Sequence, residues 1–176
     1  MGTETTGRVA ILGVDPSFNR TGWCLLDADA GGVRLAAAGI IAPKGDGRPE
    51  QLLSIAEQFN AVMQASCPSA VYFERPGAWQ RRGGTRRETV EALAMSRAVM
   101  LLGCAAAGVA AYDADVHVVR QVMFGRVNAS SLDVLESVRR SGFQVPVRPR
   151  GGPDMDIANA IVIGLYALSK GRPRIA

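Results

Sequence analysis

Residues 9–27 read VAILGVDPSFNRTGWCLLD, and how this stretch folds decides the rest. An apolar run, Val9 to Val14, ends abruptly on Asp15. Pro16 to Arg20 form a turn, and a second apolar run follows in TGWCLLD. Two strands joined by so short a connection pair as antiparallel neighbours. A carboxylate closing a buried strand is costly unless a cation meets it. Asp15 is therefore either a turn residue ahead of Pro16 or half of a charged site.

Outward from this hairpin, residues 33–42 (VRLAAAGIIA) read as a third strand of the meander. Pro49 stands where a helix begins, and Leu52, Leu53, Ile55, Ala56, Phe59, Val62 and Met63 place an apolar stripe on a helix to Ser66. AVYFE (70–74) is a short strand ending on Glu74. Thr85 and Glu88 form a T-x-x-E capping box that opens a helix to about Ala107. VAAYDAD (109–115) is a fifth strand, and VVRQVMFG a short helix or turn. NASSLDVLESVRRSG and PDMDIANAIVIGLYALSKG are two further helices, separated by the basic loop VPVRPRGGP.

The order β-β-β-α-β-α-β-α-α predicts an α/β fold in which one mixed sheet is covered by helices. Right-handed crossovers put the fourth strand parallel beside the first. Asp15 and Glu74 then leave the same edge of the sheet, where ligand sites of such sheets sit. Asp156 and Asn159, three apart in the final helix, share one face of its first turn. Asp154 precedes them as an N-cap or a further ligand. Like charges brought together need a cation between them. Oxygen donors without a histidine cluster or thiolates select Mg²⁺ or Mn²⁺. Asp27, Asp29 and Asp46 read as turn residues, Asp133 and Glu136 as a solvated helix face. Asp113 and Asp115 read as outer contacts, and His117 as structural.

The chain of 176 residues is 48% hydrophobic and 20% charged, which suits one globular domain. The domain is expected to span residues 1–176, with 1–7 disordered. The polar start MGTETTGR lacks a signal-peptide h-region, and AVMLLGCAAAGVAAY reads as a buried helix rather than a membrane span. Cys24, Cys67 and Cys104 are odd in number and dispersed, as in a reducing compartment, so a cytoplasmic location is expected. The net charge is +4, and all basic residues but Lys44 and Lys170 are arginine. Codon bias would produce this; so would a phosphate-binding surface. Arg75, Arg81, Arg82, Arg86 and Arg87 crowd around Trp79 directly after Glu74, and Arg148 and Arg150 flank the final helix.

Four blocks, ILGVDPSFNRTGW, VYFERP, VHVVRQVMFGRVNASSLDVLESVRRSGF and DIANAIVIGLYAL, resemble in order and spacing the RuvC-type Holliday junction resolvases of the RNase H-like superfamily. The resemblance covers about residues 8–168. It implies an RNase H-like five-stranded sheet in the order 3-2-1-4-5 with strand 2 antiparallel. It also implies a homodimer that cuts four-way DNA junctions with two metal ions held by four acidic residues. The family's catalytic and metal-binding positions fall on Asp15, Glu74, Asp156 and Asn159. Asp15 would be central, with Asn159 or Asp154 completing the shell.

Asn159 departs from the family's carboxylate, Ser17 from its glycine, and Ser130 and Ser131 stand where a lysine is usual. Arg120 or Arg126 would supply the missing positive charge. Trp79 and the arginines named above would hold branched DNA. The stripe Ala92, Ser96, Met100 and Cys104 would let two copies of its helix meet across a two-fold axis, or would pack that helix on its own sheet. Alternatives are an RNase H-like nuclease for other branched DNA or RNA, or a catalytically weakened junction-binding protein. An actin-like nucleotide-binding hairpin also begins this way, but such proteins need two domains to enclose ATP.

Overall fold

A computed structural model describes residues 8–75 and 87–170, the side chain of Arg87 excepted. Trp79, Arg81, Arg82 and Arg86, expected to contact DNA, lie outside the described residues, as do Thr85 and residues 1–7.

The strands are β1 (Val9–Asp15), β2 (Thr21–Asp29), β3 (Gly32–Ile41), β4 (Ala70–Arg75) and β5 (Ala110–Asp115). They form one sheet in the order β3-β2-β1-β4-β5. β2 runs antiparallel to β1 and β3, while β4 runs parallel to β1 and β5. The helices are α1 (Arg48–Ser66), α2 (Arg87–Ala106), α3 (Val116–Phe124), α4 (Ser131–Arg140) and α5 (Met155–Ser169). The expected RNase H-like α/β sheet is thus the one formed. Asp115 decides between helix and turn after β5: its carboxylate accepts from the amides of His117 and Val118 and caps α3.

β1 is central and buried on both faces, which explains its unbroken apolar run. Strand alternation sends Leu12 and Val14 to one side, with Ile55, Phe59 and Met63 of α1 and Met100 and Cys104 of α2. Ile11, Gly13 and Asp15 face the other side, where α5 lies. Phe73 of β4 points toward α1, which leaves Glu74 on the α5 side with Asp15.

One open alternative is decided and two expectations are corrected. Ala92, Ser96, Met100 and Cys104 are all buried, and Met100 and Cys104 pack on the sheet, so this stripe is closed to a second copy. The residues of α2 that do face outward include Val90, Met95 and Leu102. By length and composition alone, Glu88–Ala106 is apolar enough to cross a membrane. The sequence reading overlooked this because the apolar run spills from the buried face onto the exposed one. Asp27 is no turn residue. It lies within β2, 2% exposed, and accepts from both Arg8 and Arg34.

Candidate active site

The strand register sets the first pair. Gly13 lies opposite Tyr72 and Val14 opposite Phe73 in the parallel β1–β4 ladder. One more step puts Asp15 beside Glu74 on a shared face. Both carboxyls are shielded from water by the sheet and α5, and they hydrogen-bond to each other. Burial, and then the charge of Glu74, push the Asp15 carboxyl well above the usual carboxylate range. Burial also pushes Glu74 up, against the pull of the Asp15 hydrogen bond and the Arg120 charge. Two carboxylates this close repel each other, and either a proton or a cation between them relieves that repulsion.

Helix α5 reaches this pair because glycine clears its path. A Cβ on Gly22 would lie 2.1 Å from the carbonyl oxygen of Asp156, and one on Gly13 would lie 2.3 Å from that of Ala160. No side chain fits at either position without moving backbone. The first turn of α5 therefore rests on the ends of β1 and β2, where Gly22 pairs with Asp15. From there Asn159 Nδ2 donates to Asp15 Oδ2 at 3.0 Å. This bond favours the charged form of Asp15.

Asp156 is near enough for its charge to act on Asp15, yet its carboxylate is otherwise engaged. Arg20 Nε donates to Asp156 Oδ2 at 2.8 Å, and a terminal nitrogen of Arg148 donates to the same oxygen at 3.1 Å. Asp154 is the N-cap of α5: its side chain accepts from the Asp156 amide. It is also ion-paired with Arg20 and Arg148. The N-cap alternative for Asp154 is thus the one the structure adopts. Among the described residues, no three His, Cys, Asp or Glu side chains gather closely enough to hold a metal ion. Asp15 and Glu74 offer carboxylate oxygens, Asn159 presents its amide nitrogen to Asp15, and Asp156 is bonded to arginine. The carboxylate oxygens fit a hard divalent cation.

The turn carrying Asp15 is braced from within. Buried Thr21 accepts from the Ser17 amide at 3.0 Å and donates to its carbonyl at 2.7 Å. Cys67 is the only non-glycine residue with positive φ among the described residues, so serine replaces glycine at position 17 without strain. A cleft of about 440 Å³ opens beside the turn, lined by Pro16, Phe18, Arg48, Thr89 and Leu93 among others. The Arg48 guanidinium lies over the Phe18 ring, 5.5 Å from its centre.

The basic residues divide. Arg120 sits close enough to stabilise the charge of Glu74. Arg126 instead pairs with Asp133, which also closes a capping box with Ser130 at the start of α4. Arg75 pairs with Asp115 at 3.1 Å but stays largely exposed, and Arg150 is exposed. Arg148 belongs to the α5 cluster. Arg20 was not singled out in the sequence. A lone arginine in a turn carries no signal until the fold sets it against the first turn of α5.

A family model described as crossover junction endodeoxyribonuclease RuvC matches residues 11–166. A protein of that name from Chloroflexus aggregans is 29% identical over 155 residues, covering 88% of this chain and 89% of its own length. Another, from Gluconacetobacter diazotrophicus, is 32% identical over 133 residues, or 75% of this chain and 76% of that one. Among solved structures, T. thermophilus RuvC in complex with a Holliday junction substrate superposes with a TM-score of 0.77. It is 21% identical, and the match covers 93% of this chain and 95% of that one. With a family model spanning all five strands and most of α5, the chain belongs to the RuvC family of crossover junction endodeoxyribonucleases.

Proposed function

We propose that this chain is a structure-selective endonuclease that resolves four-way DNA junctions by metal-assisted phosphodiester hydrolysis. The half-buried Asp15–Glu74 pair at the sheet edge carries the reading. A structural role would set a basic group between the two acids, whereas two acids facing each other form a place prepared for a cation. Asp15, Glu74, Asn159 and Asp156 would hold it. RuvC family nucleases use divalent metal ions; here we favour Mg²⁺, two per site, with Mn²⁺ able to substitute. When bound, such ions supply a water of lowered pKa and neutralise the departing oxyanion.

The protein's own residues do the rest. Asp15 would be the central ligand, with Glu74 and Asp156 as the further carboxylates that hold the cation. Arg120 offsets charge near Glu74, in place of the absent lysine. Asn159 brings an oxygen but no charge, so cation affinity depends more heavily on the DNA phosphate than it would with a fourth carboxylate. Arg75, Arg148 and Arg150 surround this edge with positive charge suited to the DNA backbone, and Trp79, Arg81, Arg82, Arg86 and Arg87 extend that surface in sequence. We assign the activity to a single domain acting in the cytoplasm. We also propose a homodimer, with the outward face of α2 at Val90, Met95 and Leu102 as the contact, since a two-fold junction needs two sites.

The test is a cleavage gel. A labelled four-way junction and its linear duplex are incubated with Mg²⁺ or EDTA, using wild type and Asp15→Asn. Junction-selective nicks that need the metal and vanish in the variant are expected. Equal cutting of duplex and junction would remove the junction claim, and full activity in Asp15→Asn would remove the site. One observation favours a second reading, a weakened junction-binding protein: Asn159 presents a donor to Asp15, and Asp156 is turned to arginine. That reading predicts tight junction binding and no metal-dependent cutting.

A further inference from the structure

Arg20 and Arg148 come from unconnected loops. Arg20 closes the β1–β2 turn, and Arg148 lies in the loop pinned by the Val147–Pro153 bridge ahead of α5. They meet at the two carboxylates of the α5 start. Each contacts both Asp154 and Asp156, so two positive charges balance two negative ones. The cluster is open to solvent: the arginine side chains are 39% and 38% exposed, and that of Asp156 27%. It is also incompletely bonded, since Arg148 Nε is buried without an acceptor. The cluster borders the Asp15–Glu74 pair, which among the described residues lacks a third carboxylate within coordination reach. The nearest one to supply it is held by guanidinium.

We propose that Arg20 and Arg148 are positioning residues that keep Asp156 out of the cation site in the DNA-free protein. A backbone phosphate of the bound DNA then takes over their guanidinium groups and releases Asp156 toward Asp15 and Glu74. This deepens the metal-nuclease reading and rests on it. Guanidinium binds phosphate and carboxylate through the same forked geometry, so the exchange trades like for like. Cation affinity then rises when DNA arrives, and the coupling is reciprocal. A shell already short of one carboxylate at Asn159 makes the return of Asp156 decisive.

The test is a double-mutant cycle on Mn²⁺ affinity of the free protein, read by electron paramagnetic resonance without DNA. The four proteins are wild type, Asp156→Asn, Arg20→Met/Arg148→Met, and the triple variant. In the wild-type background Asp156→Asn should change affinity less than about twofold. In the double-Met background the same substitution should weaken it roughly tenfold, because Asp156 is free to ligate there. Should the double-Met protein fold poorly, Arg20→Lys/Arg148→Lys keeps the charges but loses the forked contacts, and should show the same coupling in weaker form. Equal effects of Asp156→Asn in both backgrounds, with Mn²⁺ still bound, would overturn the proposal and leave the nuclease reading intact. No Mn²⁺ binding in any of the DNA-free proteins would overturn the proposal, whereas failure of metal-dependent cutting in the cleavage gel above would overturn the nuclease reading. Junction affinity in EDTA, read by fluorescence anisotropy, should fall in the double-Met protein; an unchanged value would overturn the phosphate exchange.

Discussion

The β1–β2 hairpin carries a carboxylate toward each end, Asp27 buried and Asp15 half-buried, and their surroundings are opposite. Asp27, paired with Ala10 near the start of β1, is clasped by Arg8 and Arg34. Asp15, at the end of β1, faces Glu74, and among the described residues its stabilising hydrogen bond comes from the uncharged Asn159 amide. A buried acid compensated by arginine holds strands together. A buried acid set against another acid stores repulsion that a bound cation relieves. The second arrangement makes poor architecture, which supports the proposed cation site. The contrast also shows why a buried aspartate is ambiguous by itself: the partner, not the residue, separates the two roles.

Substitution at these two positions should break the contrast most visibly. Asp15→Asn should reduce junction cleavage by more than about 10²-fold, since even outer contacts of a metal site are worth 10–100-fold. The same change should leave the metal-free protein at neutral pH as stable as wild type or more so, in a thermal melt. Asp27→Asn should do the reverse. Its cleavage rate should hold, while stability falls by about 1–3 kcal/mol, a loss moderated by the exposure of both arginines.

Gly22→Ala should approach Asp15→Asn in its effect on cleavage by a different route. The new methyl group meets the Asp156 backbone, so α5 must move, and a loss of about 1–3 kcal/mol should accompany the loss of activity. An active, fully stable Gly22→Ala protein would show that α5 need not touch the strand ends. Asn159→Asp sharpens the contrast from the other side. A third acid beside Asp15 should tighten Mn²⁺ binding, measured calorimetrically, and lower the melting temperature of the metal-free protein.

The smallest effect concerns pH. The folded Asp15 carboxyl titrates above its unfolded value, so its contribution is complete below the ordinary carboxylate pKa. That contribution disappears as pH rises through the raised value. Metal-free stability should therefore decline over this window in wild type and decline less in Asp15→Asn. Apparent cation affinity should climb over the same window, because cation and proton compete for the pair.

Much of this was legible before any coordinates. The apolar run of β1 read as a buried strand, and right-handed crossovers made it the central one. The short Pro16–Arg20 connection required an antiparallel neighbour, and crossover handedness then placed Glu74 beside Asp15. What escaped was whatever depends on which side of an element meets which neighbour. The Ala92–Cys104 stripe suited a sheet as well as a partner helix, and only packing shows that it meets the sheet. Asp27 looked like a turn residue because it stands just ahead of the Ala30–Gly31 turn, yet β2 runs on past it, with Asp27 paired to Ala10 on one side and Arg34 on the other. Arg20 and Arg148 are far apart in the chain, so no local pattern links them to Asp156.

By itself, then, the sequence determined the strand order and the sheet edge at which Asp15 and Glu74 come out together. Periodicity, chain connectivity and handedness are local rules acting on local residues. Only the tertiary structure decided which acids stay uncompensated and which are held by arginine. That outcome depends on distances between side chains brought together by Gly13 and Gly22, where the missing Cβ atoms let α5 settle onto the strand ends.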